Sequence, residues 1–130
     1  PDRLRLTRQF WDERLQSFGA VISTLVVREI QDTPDPVKRG QLEGLVKNLE
    51  VLEFTIEADE LARKYVERGV FPEKYISDGN HVAIAVTHGI GYFVSWNFTH
   101  LVKVITRREI NLINALNGYH PIEIIAPPEL

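Results

Sequence analysis

The sequence predicts an α/β fold, a three-layer α/β/α sandwich around a mostly parallel central sheet, and three observations predict it. Short β-rich apolar runs alternate with segments of helical periodicity along the chain. The runs are nearly continuous in apolar residues, as strands covered on both faces must be, and their alternation with helical segments favours parallel crossovers. No repeat, linker or low-complexity stretch interrupts the pattern, so the 130 residues, 44% hydrophobic, read as one domain.

In order, Leu4, Trp11, Leu15 and Phe18 recur at helical spacing with Phe10 beside them, opposite Arg3, Arg8, Asp12 and Arg14, which predicts an amphipathic helix over 3–17. Gly19 stops it, and Ala20–Ser23 reads as a buried strand followed by a helix over Thr24–Gln31. The breaker cluster Asp32–Pro36 leads to a helix whose apolar face is Val37, Leu42, Leu45, Val46 and Leu49, and Val51–Thr55 reads as the next strand. Ala58, Leu61, Ala62, Tyr65 and Val66 mark a helix ended by Gly69. Ser77 can cap the following buried helix, which carries His81–Val86 and closes at His88-Gly89. Tyr92–Ser95 is the third strand. Thr106–Glu109 has the form of a capping box opening a helix with Ile110, Ile113 and Leu116 inward, and Ile122–Ile125 is the fourth strand. The chain opens on a helix, at Pro1, where an alternating fold ordinarily opens on a strand. Residues 1–130 therefore read as an N-terminally incomplete domain, its first strand preceding Pro1.

Charge and composition exclude several functions. With 15 Lys+Arg against 18 Asp+Glu, the net charge of −3 leaves no bulk attraction to nucleic acid, so any such contact is a local patch. The absence of cysteine removes disulfides, thiolate metal sites and cysteine nucleophiles, and fits a reducing, cytoplasmic setting. No apolar run is long enough for a membrane span, and no signal-peptide layout opens the chain. Among His81, His88, His100 and His120, no pair has the i, i+4 spacing of a helical zinc motif.

In open parallel sheets ligands collect beyond the carboxyl ends of the strands. Glu29, after the first visible strand, Asp78, opening the buried helix, and Asn97, just after the third strand, stand there. Each also fits a structural role: Glu29 as a solvated helix residue, Asp78 as a first-turn acid favoured by the helix dipole, Asn97 as a cap or loop residue. His81 shares a helix face with Asp78, to orient it, touch RNA or pack in the core. Arg107, Arg108 and His100 are candidates for RNA phosphates, or solvated residues.

Taken together, Ser23-Thr24-Leu25-Val26-Val27-Arg28-Glu29-Ile30, Ser77-Asp78-Gly79-Asn80-His81-Val82-Ala83-Ile84-Ala85 and Tyr92-Phe93-Val94-Ser95-Trp96-Asn97-Phe98-Thr99-His100 resemble the PIN domain over essentially the whole chain. The Asp-x-x-His-x-Ala-x-Ala and Ser-Trp-Asn-Phe-x-His stretches are the more specific parts. Many PIN proteins are VapC-like toxins of type II toxin–antitoxin pairs and act as metal-dependent ribonucleases. The resemblance thus implies an endoribonuclease that binds Mg²⁺ or Mn²⁺, acts on RNA, forms a homodimer and is restrained by an antitoxin protein. Glu29 matches the family's helix-borne glutamate and Asp78 its helix-opening aspartate, while Asn97 stands, after Ser95, where many members carry a further aspartate. The family's first aspartate ends the first strand, which places it outside these residues and implies that they are inactive by themselves. That strand is central in PIN sheets, so a gap is expected between the Ala20–Ser23 and Tyr92–Ser95 strands.

Carboxylate-bound hard cations suit phosphodiester hydrolysis because they activate water and neutralise phosphoryl charge. Asn97 brings an oxygen without a charge, which favours an alternative: a catalytically weakened PIN-like domain that binds RNA or a protein without cutting. A nucleotide-binding or receiver-like domain is the third reading, but no glycine-rich loop follows a visible strand.

Overall fold

The computed structural model describes residues 5, 6, 9, 19–95, 97 and 99–127. Most of the helix expected over 3–17 lies outside them. The described elements are β1 (Val21–Ser23), α1 (Thr24–Gln31), α2 (Pro36–Val46), β2 (Glu50–Leu52), α3 (Ile56–Glu67), a 3₁₀ turn (Glu73–Tyr75), α4 (Ile76–Thr87), β3 (Tyr92–Val94), α5 (Val104–Leu116) and β4 (Glu123–Ile125).

All four strands pair in parallel, β1 with β2 (Val21 opposite Glu50) and β3 with β4 (Tyr92 opposite Glu123). They form two two-stranded sheets, and β1 and β3 are not neighbours in either. Helix α4 touches both β1 and β3 and so joins the two sheets.

The core is built on α3 and α4, which pack closely together. Thr55, expected at the end of a strand, instead accepts from Ala58 N–H at 3.1 Å and caps α3, so β2 stops at Leu52. That helix buries Ala58, Leu61, Ala62 and Tyr65. The helix α4 is buried nearly all round, from Gly79 to Val86. A Cβ on Gly79 would stand 3.3 Å from Phe71 Cδ2, so the glycine lets the Phe71 ring lie against the helix and meet Tyr65 edge-on.

Four sequence expectations are corrected here. Ser77 does not cap α4: the 3₁₀ turn runs straight into the helix at Ile76, leaving Ser77 inside the first turn. Thr106 does not cap α5, which starts a turn earlier at Val104; Thr106 is buried within it. Leu116 is 60% exposed, because α5 turns only Ile110 and Ile113 of the expected trio inward. The helix α2 forms as expected from Asp35, which caps it, but buries no residue, with Val37 69% exposed.

A polar thread crosses the core. The Tyr65 hydroxyl donates to Asn114 Oδ1 at 2.5 Å, and Asn114 Nδ2 reaches Asn111 Oδ1 at 3.4 Å. Asn111 also donates to Ile122 C=O at 2.9 Å and accepts from Ile122 N–H at 2.7 Å, which fixes the chain entering β4. Nearby, Tyr119 donates to Glu57 Oε1 at 2.5 Å.

These two tyrosines make stability sensitive to alkali. Burial raises the Tyr65 pKa. Burial, and then the hydrogen bond to the Glu57 carboxylate, push Tyr119 up to about 12. The unfolded chain releases both protons near the ordinary tyrosine value of 10.0 while the folded chain keeps them. Stability is therefore full below that pH and falls as pH rises towards 12 and beyond. Urea midpoints measured from pH 8 to 12 should decline at the alkaline end, and Tyr119→Phe should flatten part of that decline.

Candidate functional site

Glu29 and Asn97 both follow the carboxyl ends of parallel strands. Ser23, the last residue of β1, caps α1 by accepting from Val26 N–H at 3.3 Å, and Glu29 lies on that helix. Asp78 stands in the first turn of α4, where the helix dipole favours an anion. Beyond β3, Ser95 N–H extends the pairing to Ile125 C=O at 2.9 Å, and its hydroxyl accepts from Asn97 N–H at 2.9 Å. The supporting role expected of Ser95 is thus a positional one: it ties the Asn97 backbone to the sheet.

Two contacts gather these residues around α4. Asn97 Nδ2 donates to Asp78 Oδ1 at 3.4 Å, across 19 positions of sequence. One helical turn further on, His81 Nε2 meets Glu29 Oε1 at 2.7 Å. Because a carboxylate only accepts, the His81 ring donates from Nε2. Glu29, 61% exposed, is therefore tied from α1 to α4 through the His81 imidazole, and Asp78, on α4 itself, is bonded through the Asn97 amide.

The orientation of the Asn97 amide is set by its neighbours. Its Oδ1 accepts from His100 N–H at 2.9 Å, which leaves the NH₂ towards Asp78. Its backbone C=O accepts from Leu101 and Val102 N–H at 3.1 and 2.8 Å. Asn97 accordingly caps the turn after β3 and, with the same side chain, supplies a donor to the Asp78 carboxylate.

The remaining candidates divide. His100 is half-buried, and its ring stacks on Tyr75 with centroids 4.2 Å apart. Arg107 is half-buried, with Nη2 on Val102 C=O at 3.3 Å, whereas Arg108 is exposed. His88 Nδ1 bonds to Ile84 C=O at the far end of α4. Trp96 and Phe98 lie outside the described residues. Tyr75, which the sequence reading did not single out, immediately precedes the helix that carries Asp78.

Among the described residues no three His, Asp or Glu side chains are grouped as a metal cage. A concavity of about 230 Å³ opens among β1, α1, α2 and β2 and is lined by Ile22, Val27, Ile30, Val46 and Leu49. No described helix is long and apolar enough to cross a membrane. No protein-family model matches the chain, and no curated protein is similar to it at a significant level.

Proposed function

We propose that the chain is a PIN-like, metal-dependent endoribonuclease module, the toxin of a toxin–antitoxin pair acting as a homodimer in the cytoplasm. In this reading a strand lying between β1 and β3 completes a central sheet and brings the family's first aspartate to the site. The observation that supports it most is the Asn97–Asp78 contact at 3.4 Å, which joins two residues matched to the family's acidic cluster from separate elements.

Asp78 and Glu29 would hold Mg²⁺ or Mn²⁺, with the Asn97 amide beside them. The ion, when bound, activates water and neutralises phosphoryl charge. His81 orients the Glu29 carboxylate, and Ser95 fixes the backbone that carries Asn97.

One observation favours the second reading, a domain that binds RNA without cutting: the Asn97 NH₂ already gives Asp78 a hydrogen bond that a cation would otherwise replace. Asn97→Asp tests between them. Two facing carboxylates repel until a cation arrives, so this variant should bind Mn²⁺ about 10-fold or more tightly than the parent. Calorimetric titration measures it, and a rise in melting temperature with Mn²⁺ checks it independently. An Asn97→Asp chain with no gain in Mn²⁺ affinity would count for the binding-only reading.

A further inference from the structure

We propose that Tyr75 and His100 form a stacking platform for one unpaired nucleobase of single-stranded RNA, beside Asp78. The proposal rests on the reading of the chain as an RNA-directed module and names how its substrate is gripped.

The pair is built from both halves of the site. Tyr75 ends the 3₁₀ turn and immediately precedes α4, which presents Asp78 in its first turn. His100 is held by the hydrogen bond from its N–H to Asn97 Oδ1, the same side chain that reaches Asp78. The rings lie 4.2 Å apart and tilted by 34°, so His100 braces the tyrosine against the turn that Asn97 caps. Tyr75 is nonetheless 37% exposed and lies outside the buried cluster, so part of its ring faces water. Lys74 extends over the same ring, with Nζ 5.1 Å from the centroid.

Aromatic rings with a nearby cation are how proteins hold single strands without reading sequence: every base has a face to stack, and every nucleotide brings a phosphate. A cation over an exposed ring contributes a factor of about 2–5, while a stacked base contributes about 5–150. A base that takes the place of the ammonium on Tyr75 therefore wins, and frees Lys74 to meet the adjoining phosphate. Duplex RNA cannot use such a platform, because its bases are already stacked and paired. The geometry so restricts the substrate to a single-stranded segment.

The test is fluorescence anisotropy of a labelled eight-nucleotide single-stranded RNA with this chain in EDTA, which separates gripping from metal chemistry. Tyr75→Leu should weaken binding by about 5–150-fold, and Tyr75→Trp should hold it near the parent value. An oligomer of the same length lacking bases should bind as weakly to the parent as the RNA binds to Tyr75→Leu. Lys74→Gln should lessen the salt dependence by roughly one phosphate contact. Melting temperatures equal to the parent show that the exposed positions have not unfolded the chain. Binding within twofold of the parent for Tyr75→Leu, equal binding of the base-free oligomer, or no RNA binding at all overturns the platform. The proposed nuclease reading fails separately: if RNA binds through Tyr75 while Mn²⁺ binding is absent from both the parent and Asn97→Asp, the platform stands and the metal site falls.

Discussion

Asp78→Asn should abolish specific Mn²⁺ binding by the chain, a loss of more than about 100-fold, and with it cleavage in any form that also carries the first-strand aspartate of the family. The charge arithmetic is simple. Of the three oxygen donors matched to the family's cluster, Asn97 is neutral and Glu29 is already engaged with His81 at 2.7 Å, so Asp78 supplies the anion nearest the amide. It stands in the first turn of α4, and the substitution replaces it with a second neutral amide of the same shape. Because Asp78 is half-exposed, the fold should survive, with stability changed by less than about 1 kcal/mol. Calorimetry with Mn²⁺ and a labelled RNA incubated across a metal titration, with EDTA as control, check both parts. Metal affinity unchanged by the substitution, or cleavage that persists in EDTA, would refute the mechanism.

Asn114→Ala should cost about 2–4 kcal/mol of stability, the sum of a buried hydroxyl left without its partner and a small cavity. Asn114 is fully buried and accepts from Tyr65, itself fully buried, so no water replaces the lost amide at no cost. For a chain of this size each kcal/mol moves the melting temperature by roughly 3–5 °C. Replacing both partners with apolar groups, Tyr65→Phe with Asn114→Leu, should recover part of the loss, since neither then leaves an orphaned group facing the other. A thermal or urea series on the singles and the double gives the coupling directly. If Asn114→Ala loses less than about 1 kcal/mol, the thread is only a surface-like contact.

Strand positions were legible because β-branched runs such as Val21-Ile22 and Ile124-Ile125 have few alternatives between breakers. Helix starts were less legible. Thr106 has the residues of a capping box three positions before Glu109, yet packing draws it inside α5, and burial outweighs one capping bond. The apolar face of α2 was visible, but whether a surface meets it depends on neighbours far off in sequence, and in the fold it buries nothing. The sequence reading did not single out Asn114. Its spacing of four from Ile110 put it on the apolar face, which was the available signal. In the site, the Asp78–Asn97 meeting was expected from their shared placement after strands, whereas the Glu29–His81 contact joins positions 52 apart that no local pattern links.

The separation of the sheets also divides the molecule in time. Among the described residues, the buried cluster runs from Ala58 to Ala126, and the hydrophobic side chains of the β1–α1–α2–β2 unit that pack against it, Leu25 and Leu52, are only partly buried. A three-residue parallel pair has little cohesion of its own, so this unit is expected to open before α3 and α4 do. Glu29 rides on the looser unit and Asp78 on the tighter one. Amide exchange is therefore expected to be slow around Asp78 and faster around Glu29, which hydrogen-exchange measurement checks. Any ligand that grips both must hold that opening shut, so occupancy of the site would be written into the exchange rates of β1 and α1.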